Sequence, residues 1–199
     1  MEWYDTYQLW LSEEQSLHNA QIVANHFSGT DWTPESIAAL CGNMRVESSI
    51  NPDMYEYGYG WQEDRGYGLV QWTPRSKYWN WAVQNGLSPR SGNSQLARID
   101  YEVENNIQWI TTSEYPLSFS EFRQNTGNWS IEYLTEAFTW NYERPNRQAG
   151  EESMPNRIAF ANRVINELEF DNPPTPTPPS NKGDGELIHL WLSGALNGW

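Results

Sequence analysis

Glu47 stands where a helical period breaks off. Ile37, Leu40, Cys41 and Met44 recur at the spacing of one helix face, and Ser48-Ser49-Ile50-Asn51-Pro52 does not continue it. A carboxyl with apolar side chains behind it and a loop ahead resists ionisation. The negative end of the helix macrodipole acts in the same direction. A carboxylic acid that keeps its proton near neutral pH is what general acid catalysis requires. On position alone, the plainer reading is a solvated glutamate or one paired with Arg45. A second group is Gly66-Tyr67-Gly68-Leu69-Val70-Gln71-Trp72. It reads as a short strand of a β-hairpin with Tyr67 and Gln71 on one face. Its glycines allow close backbone approach to a ligand, and Gln71 offers a donor and an acceptor for sugar or amide groups. Trp72 reads equally as ligand wall or core. A third group, Trp140 to Pro145, closes a helix. Tyr142 is placed to reach a cleft, while Glu143 and Arg144 read as a structural ion pair.

The elements that must hold these residues are mainly helical. Ser12-Glu13-Glu14-Gln15 is a capping box, followed by the apolar face of Ala20, Val23, Ala24 and Phe27. Thr33 caps the helix of Ile37 to Met44, with Pro34 at its first position. A third helix carries Leu96, Ile99, Val103, Ile107 and Ile110. A fourth carries Ile131, Leu134, Ala137 and Phe138 behind a Ser130 cap. A fifth carries Ile158, Ala161, Ile165 and Leu168. The fold class is therefore α+β and predominantly α-helical, with one small β-hairpin.

Composition excludes several functions. The net charge is −14, with 12 Lys+Arg against 26 Asp+Glu, the reverse of a nucleic-acid footprint. Anionic membrane surfaces repel such a chain, and no stretch approaches the roughly 20 apolar residues of a membrane span. Twelve tryptophans in 199 residues argue against wholesale disorder. The single cysteine, Cys41, rules out an intramolecular disulfide and any multi-cysteine metal site. His18, His26 and His189 lack ligand spacing and read as surface or interface residues; neither metal nor organic cofactor is implied. Met1-Glu2-Trp3-Tyr4-Asp5 has neither the basic nor the apolar region of a signal peptide, which reads as a protein made in a cytosol.

Asp171 to Gly185 holds five of the chain's twelve prolines and reads as a semi-rigid spacer. It divides a body, residues 1–170, from a short apolar helix over residues 186–199. Leu187, Leu190, Trp191 and Leu192 cover most of that helix's circumference. So short a peptide is marginal alone and is expected to dock into a partner.

Taken in order, Glu47-Ser48, the Gly66–Trp72 segment and Tyr142-Glu143-Arg144-Pro145 resemble the goose-type lysozyme and lytic transglycosylase superfamily. Gly42-Asn43-Met44, Glu47-Ser48, Ile50-Asn51-Pro52 and Trp72-Thr73-Pro74 bring the likeness closer to the phage tail lysozymes. In particular they are similar to the N-terminal lysozyme domain of small-podophage tail-knob proteins. The resemblance runs from about Ser12 to Leu168. It implies a lysozyme-like fold and cleavage of the N-acetylmuramic acid–N-acetylglucosamine bond of peptidoglycan glycan strands. Glu47 matches the catalytic acid, and Gln71 and Tyr142 match cleft positions. Asp64-Arg65-Gly66 stands where an Asp-Arg-Gly precedes the Gly-Leu-x-Gln strand, so Asp64 is the candidate second carboxylate; Glu56 and Glu63 are rivals. The other goose-type aspartate is Thr73 here. Without a second carboxylate, Glu47 would act as acid and base and give anhydro products, as the transglycosylases do. Trp61, Tyr67 and Trp72 become candidate sugar-stacking walls, with core aromatics the equal alternative for each.

The resemblance also implies a virion protein at the tail tip that opens the host wall for genome ejection. Leu187–Trp199 would dock to tail-knob or tail-tube proteins, and a homo-oligomer in the tail is compatible with that. Known tail-knob relatives carry a zinc endopeptidase domain after the lysozyme domain, where this chain has the Pro-rich spacer. The alternative is a non-catalytic tail part that binds the wall. Its motive is charge, because a −14 protein gains no attraction to anionic wall polymers.

Overall fold

The structure is a computed structural model and describes residues 1–170. The spacer and the docking helix expected over 171–199 lie outside the described residues. Seven α-helices are described: α1 Glu13–Phe27, α2 Pro34–Ser48, α3 Ser76–Gln84, α4 Gly92–Glu104, α5 Phe119–Gln124, α6 Ile131–Phe138 and α7 Arg147–Glu167. A π-helical turn, Thr139–Glu143, extends α6. None of the described helices is long and apolar enough to cross a membrane.

The caps behave as the side chains dictate. Ser12 and Gln15 complete a capping box at the start of α1. The Thr33 hydroxyl accepts from the Ser36 N–H at the start of α2, with Pro34 beside it. Ser130 caps α6 through Tyr133.

Helix α2 is the interior element, buried without a break from Ser36 to Met44. It packs chiefly on α7 and α6, and also on α1. Gly42 permits the α2–α7 contact. A Cβ there would lie 2.4 Å from the Arg157 carbonyl oxygen and 3.0 Å from the Ala161 Cβ. An aromatic cluster of Trp32, Trp109, Phe119, Phe122, Phe138 and Tyr142 fills the side formed by α5 and α6. The N-terminal strap, residues 1–12, is pinned by buried amides. Asn19 pairs with both backbone groups of Tyr4, and Asn51 Nδ2 donates to the carbonyls of Thr6 and Leu9.

Three expectations change. The β-hairpin is not formed: among the described residues, Tyr55 and Tyr67 make only an isolated antiparallel bridge. Gly68 has φ +82° and Gln71 φ +49°, so the chain turns over before a second rung can form. A buried glutamine takes the place of a partner strand. Gln95 Oε1 accepts from the Leu69 N–H at 2.7 Å, and its Nε2 donates to the Pro52 carbonyl at 2.7 Å. Second, α4 stops at Glu104, short of Ile107 and Ile110. Asn106 and Gln108 take φ +50° and +68°, which ends the helical path. Third, the buried face of α7 is Arg157, Phe160, Ala161 and Val164 rather than Ile158, Ala161, Ile165 and Leu168. An arginine on the inner stripe displaces the apparent phase.

Candidate active site

A cleft of about 440 Å³ runs beside the C-terminal end of α2, with Glu47, Asp64, Gln71, Thr73, Glu143 and Trp10 among its lining residues. Its walls come from three places. Helix α2 supplies Val46 and Glu47. The loop from Met54 to Thr73 supplies Asp64 and Gln71. The end of the π-turn supplies Glu143, and Pro145 follows it.

Glu47 is set by a charged neighbour that its position in the sequence conceals. Arg157 Nη2 donates to Glu47 Oε1 at 2.5 Å, and the Arg157 side chain is only 3% exposed against 21% for Glu47. Arg157 is held in turn by Asn43 Oδ1 at 2.8 Å and by Ser153 Oγ at 3.2 Å. Asn43 Oδ1 also accepts from the Thr139 hydroxyl, and its Nδ2 donates to the carbonyls of Ala39 and Thr135. Every polar atom of the Asn43 side chain is thus used. The charged neighbour of Glu47 is Arg157 and not Arg45, and the surround is a buried cation rather than purely apolar wall.

Glu143 is the second carboxyl on this wall. Its Oε1 is shielded from solvent and has no hydrogen-bond partner. Burial, then the nearby Glu47 charge, holds its pKa well above the ordinary carboxylate range. The expected ion pair with Arg144 is absent among the described salt bridges. Arg144 takes φ +52° at the end of the π-turn, and its guanidinium donates to the carbonyls of Gln108 and Asn141. Glu143 so placed retains its proton, because ionising it would put a second negative charge in a buried site beside Glu47.

Asp64 is exposed and faces the same cleft. Its rivals are otherwise engaged. Glu56 accepts from the Gly66 N–H at 3.0 Å and lies 3.6 Å from Arg65. Glu63 turns towards Arg75, in a neighbouring depression lined with Trp61 and Trp79. Trp61 therefore stands off the cleft, against Tyr55 and over the Arg75 guanidinium at 3.5 Å. Gln71 reaches the cleft, where its Nε2 is held by the carbonyls of Met54 and Gly68.

Tyr67, Trp72 and Tyr142 are buried and do not line the cleft. The Tyr67 hydroxyl donates to Asp53. The other two meet at Glu102, itself 1% exposed. Glu102 Oε1 accepts from Trp72 Nε1 at 3.0 Å and from Arg98 Nε at 2.8 Å, and its Oε2 from the Tyr142 hydroxyl at 2.5 Å. Trp72 adjoins Gln71 and Tyr142 adjoins Glu143. One buried carboxyl thereby fixes both neighbours of cleft residues to α4.

Sequence reasoning missed Arg157, Glu102 and the placement of Glu143. A signal existed for two of them. Arg157, Phe160, Ala161 and Val164 follow the i, i+3, i+4, i+7 pattern, and Glu102 lies three residues after Ile99 on the inner face of α4. Among the described residues, no three His, Cys, Asp or Glu side chains converge as a metal site would need.

A mainly helical domain with a cleft beside the end of its central helix is consistent with the lysozyme-like class, and the comparison with known families supports that class. The chain belongs to the phage tail lysozyme family, whose pattern matches residues 18–168. A relative is morphogenesis protein 1 of Bacillus phage B103, 41% identical over 136 residues. That match takes in 68% of this chain and 36% of the relative, so the chain spans little more than a third of that protein's length.

Proposed function

We propose that this chain is a phage virion glycosidase that cuts the glycan strands of peptidoglycan at the N-acetylmuramic acid–N-acetylglucosamine bond. The observation that carries this is the shared cleft: Glu47, Glu143 and Asp64 line one wall-to-wall space of about 440 Å³. Glu47 is the general acid that protonates the glycosidic oxygen as the bond to the sugar carbon breaks. Glu143 beside it stays protonated through burial. Asp64, across the cleft, removes a proton from the attacking water, which adds to the oxocarbenium-like carbon and gives a reducing end. Gln71 offers its free oxygen to the sugar amide. Where Asp64 does not act, Glu47, left as a carboxylate after giving up its proton, takes the proton of the muramic acid's own hydroxyl as that oxygen bonds to the sugar carbon, and the product is anhydro.

The tail-tip location and the docking of Leu187–Trp199 to tail proteins belong to the same reading. They are supported by the family and by the apolar character of that segment. Deleting 187–199 should leave cleavage by purified protein intact and abolish incorporation into tails.

The test is mass spectrometry of fragments released from Gram-positive peptidoglycan by wild type and by Glu47→Gln. Reducing muramic acid ends from wild type alone support the muramidase, and anhydro ends move the reading to a transglycosylase. No new ends from either protein, beside an active control muramidase, would sink the enzyme. Wall binding equal in both forms would then favour a non-catalytic tail part.

A further inference from the structure

A second groove, of about 480 Å³, lies on the other side of Val46. It shares Trp10 and Val46 with the candidate cleft, so the two adjoin at that ridge. Its floor is Phe160 and Ala159 of α7, and its charged residues are Arg45, Arg163 and Glu13. Arg163 and Glu13 pair with each other, and Arg163 also binds Glu167. Arg45 differs. It is half-buried, with its guanidinium carbon 5.8 Å from the Phe160 ring centre. No described residue gives it a hydrogen bond or an ion pair within bonding distance. Burial lowers its pKa, opposed by the Glu13 charge. Its stem therefore packs on Phe160 while its guanidinium lines the groove, with Glu13 nearby in charge but no bonded partner among the described residues.

We infer that this groove takes the stem peptide of the glycan strand lying in the cleft, with Arg45 binding one of its carboxylates. The inference rests on the glycan-cleaving reading above and extends it. A muramic acid in the cleft carries its peptide on the lactyl group, so peptide must leave the cleft beside the sugar. The ridge of Trp10 and Val46 is one residue from Glu47. Stem peptides join small apolar residues to free carboxylates, which matches an aromatic floor with one unpaired cation. The chain's −14 charge repels such a peptide elsewhere, so a local cation decides where it rests.

The test is calorimetric titration of the full chain with two soluble ligands, the N-acetylglucosamine–N-acetylmuramic acid disaccharide with and without its stem peptide. Neither contains the bond to be cut. Wild type should bind the peptide-bearing form about tenfold more tightly, the effect of one hydrogen bond to a charged group. Arg45→Gln should remove that preference and leave disaccharide affinity unchanged, whereas Arg45→Lys should keep part of it. Equal binding of the two ligands by wild type would overturn the inference. So would a preference that survives in Arg45→Gln, or a loss shared by both ligands. The readout is binding, so an inactive enzyme would sink the proposed function without deciding this one.

Discussion

Arg157 Nη2 lies 2.5 Å from Glu47 Oε1 and makes the deeper half of the pair, with α7 reaching under the end of α2 to hold the proposed acid. The pair is asymmetric, because Glu47 keeps an edge in the cleft and Arg157 keeps none. Removing the carboxylate leaves a buried cation with only Asn43 and Ser153 as partners. Glu47→Gln retains an acceptor oxygen, so the stability loss should be about 1–2 kcal/mol, below the 3–5 of a wholly broken buried pair. Glycan cleavage should fall at least about 100-fold. Chemical denaturation beside a fragment assay separates the two effects.

Glu143 should make stability depend on pH. Its folded pKa is raised, first by burial and then by Glu47. The folded state therefore holds a proton that the unfolded chain releases. Stability from this group is complete below the ordinary carboxylate range and is lost as pH rises from there towards the folded pKa. Glu102, also raised by burial, adds in the same direction. Wild type should melt at lower temperature as pH is raised from 5 to 8, and Glu143→Gln should flatten that slope. An unchanged slope would mean that the carboxyl is ionised in the fold.

Much of the scaffold was legible because caps and apolar periods act locally. Ser12, Thr33 and Ser130 each mark a helix start where their hydroxyls accept backbone N–H groups. The Gly66–Trp72 segment misleads for a non-local reason. Its alternation is that of a strand, but Gln95, far along the chain, supplies the hydrogen bonds a partner strand would give. Arg157 and Glu102 escape notice because a charged residue on an inner helix face looks like a break in the apolar stripe. Only the fold reveals that each has its partners. Glu143 is the sharper case, since Arg144 beside it in sequence points the other way.

Asp64 can be separated from its rivals by substitution. It alone of the three faces the cleft without an ion-pair or hydrogen-bond partner among the described residues, whereas Glu56 and Glu63 are tied to Arg65 and Arg75. If it activates the water, Asp64→Asn should lower release of reducing ends by about 10²–10⁴. Glu63→Gln should stay near wild type. Glu56→Gln should lose less than Asp64→Asn, through a loosened Gly66 turn. Full activity in Asp64→Asn with anhydro products would assign the whole reaction to the Glu47 side.

Gly42 tests whether the α2–α7 distance sets the geometry of the acid. In an open helix, Gly→Ala is worth about 1 kcal/mol of added stability. Here the new Cβ would meet the Arg157 carbonyl at 2.4 Å, and backbone cannot rotate aside as a side chain can. Helix α7 must move by roughly 1 Å to reach ordinary contact. Overpacking of this kind costs about 1–3 kcal/mol and outweighs the propensity gain. The residue that moves carries the Glu47 partner, so activity should fall by about 10- to 100-fold in protein that is still folded. Ala161→Gly in the same chain removes the 3.0 Å contact and leaves the carbonyl clash in place. It should therefore not restore cleavage. Recovery in the double variant would show that side-chain crowding, rather than the approach of the α7 backbone, governs how Arg157 meets Glu47.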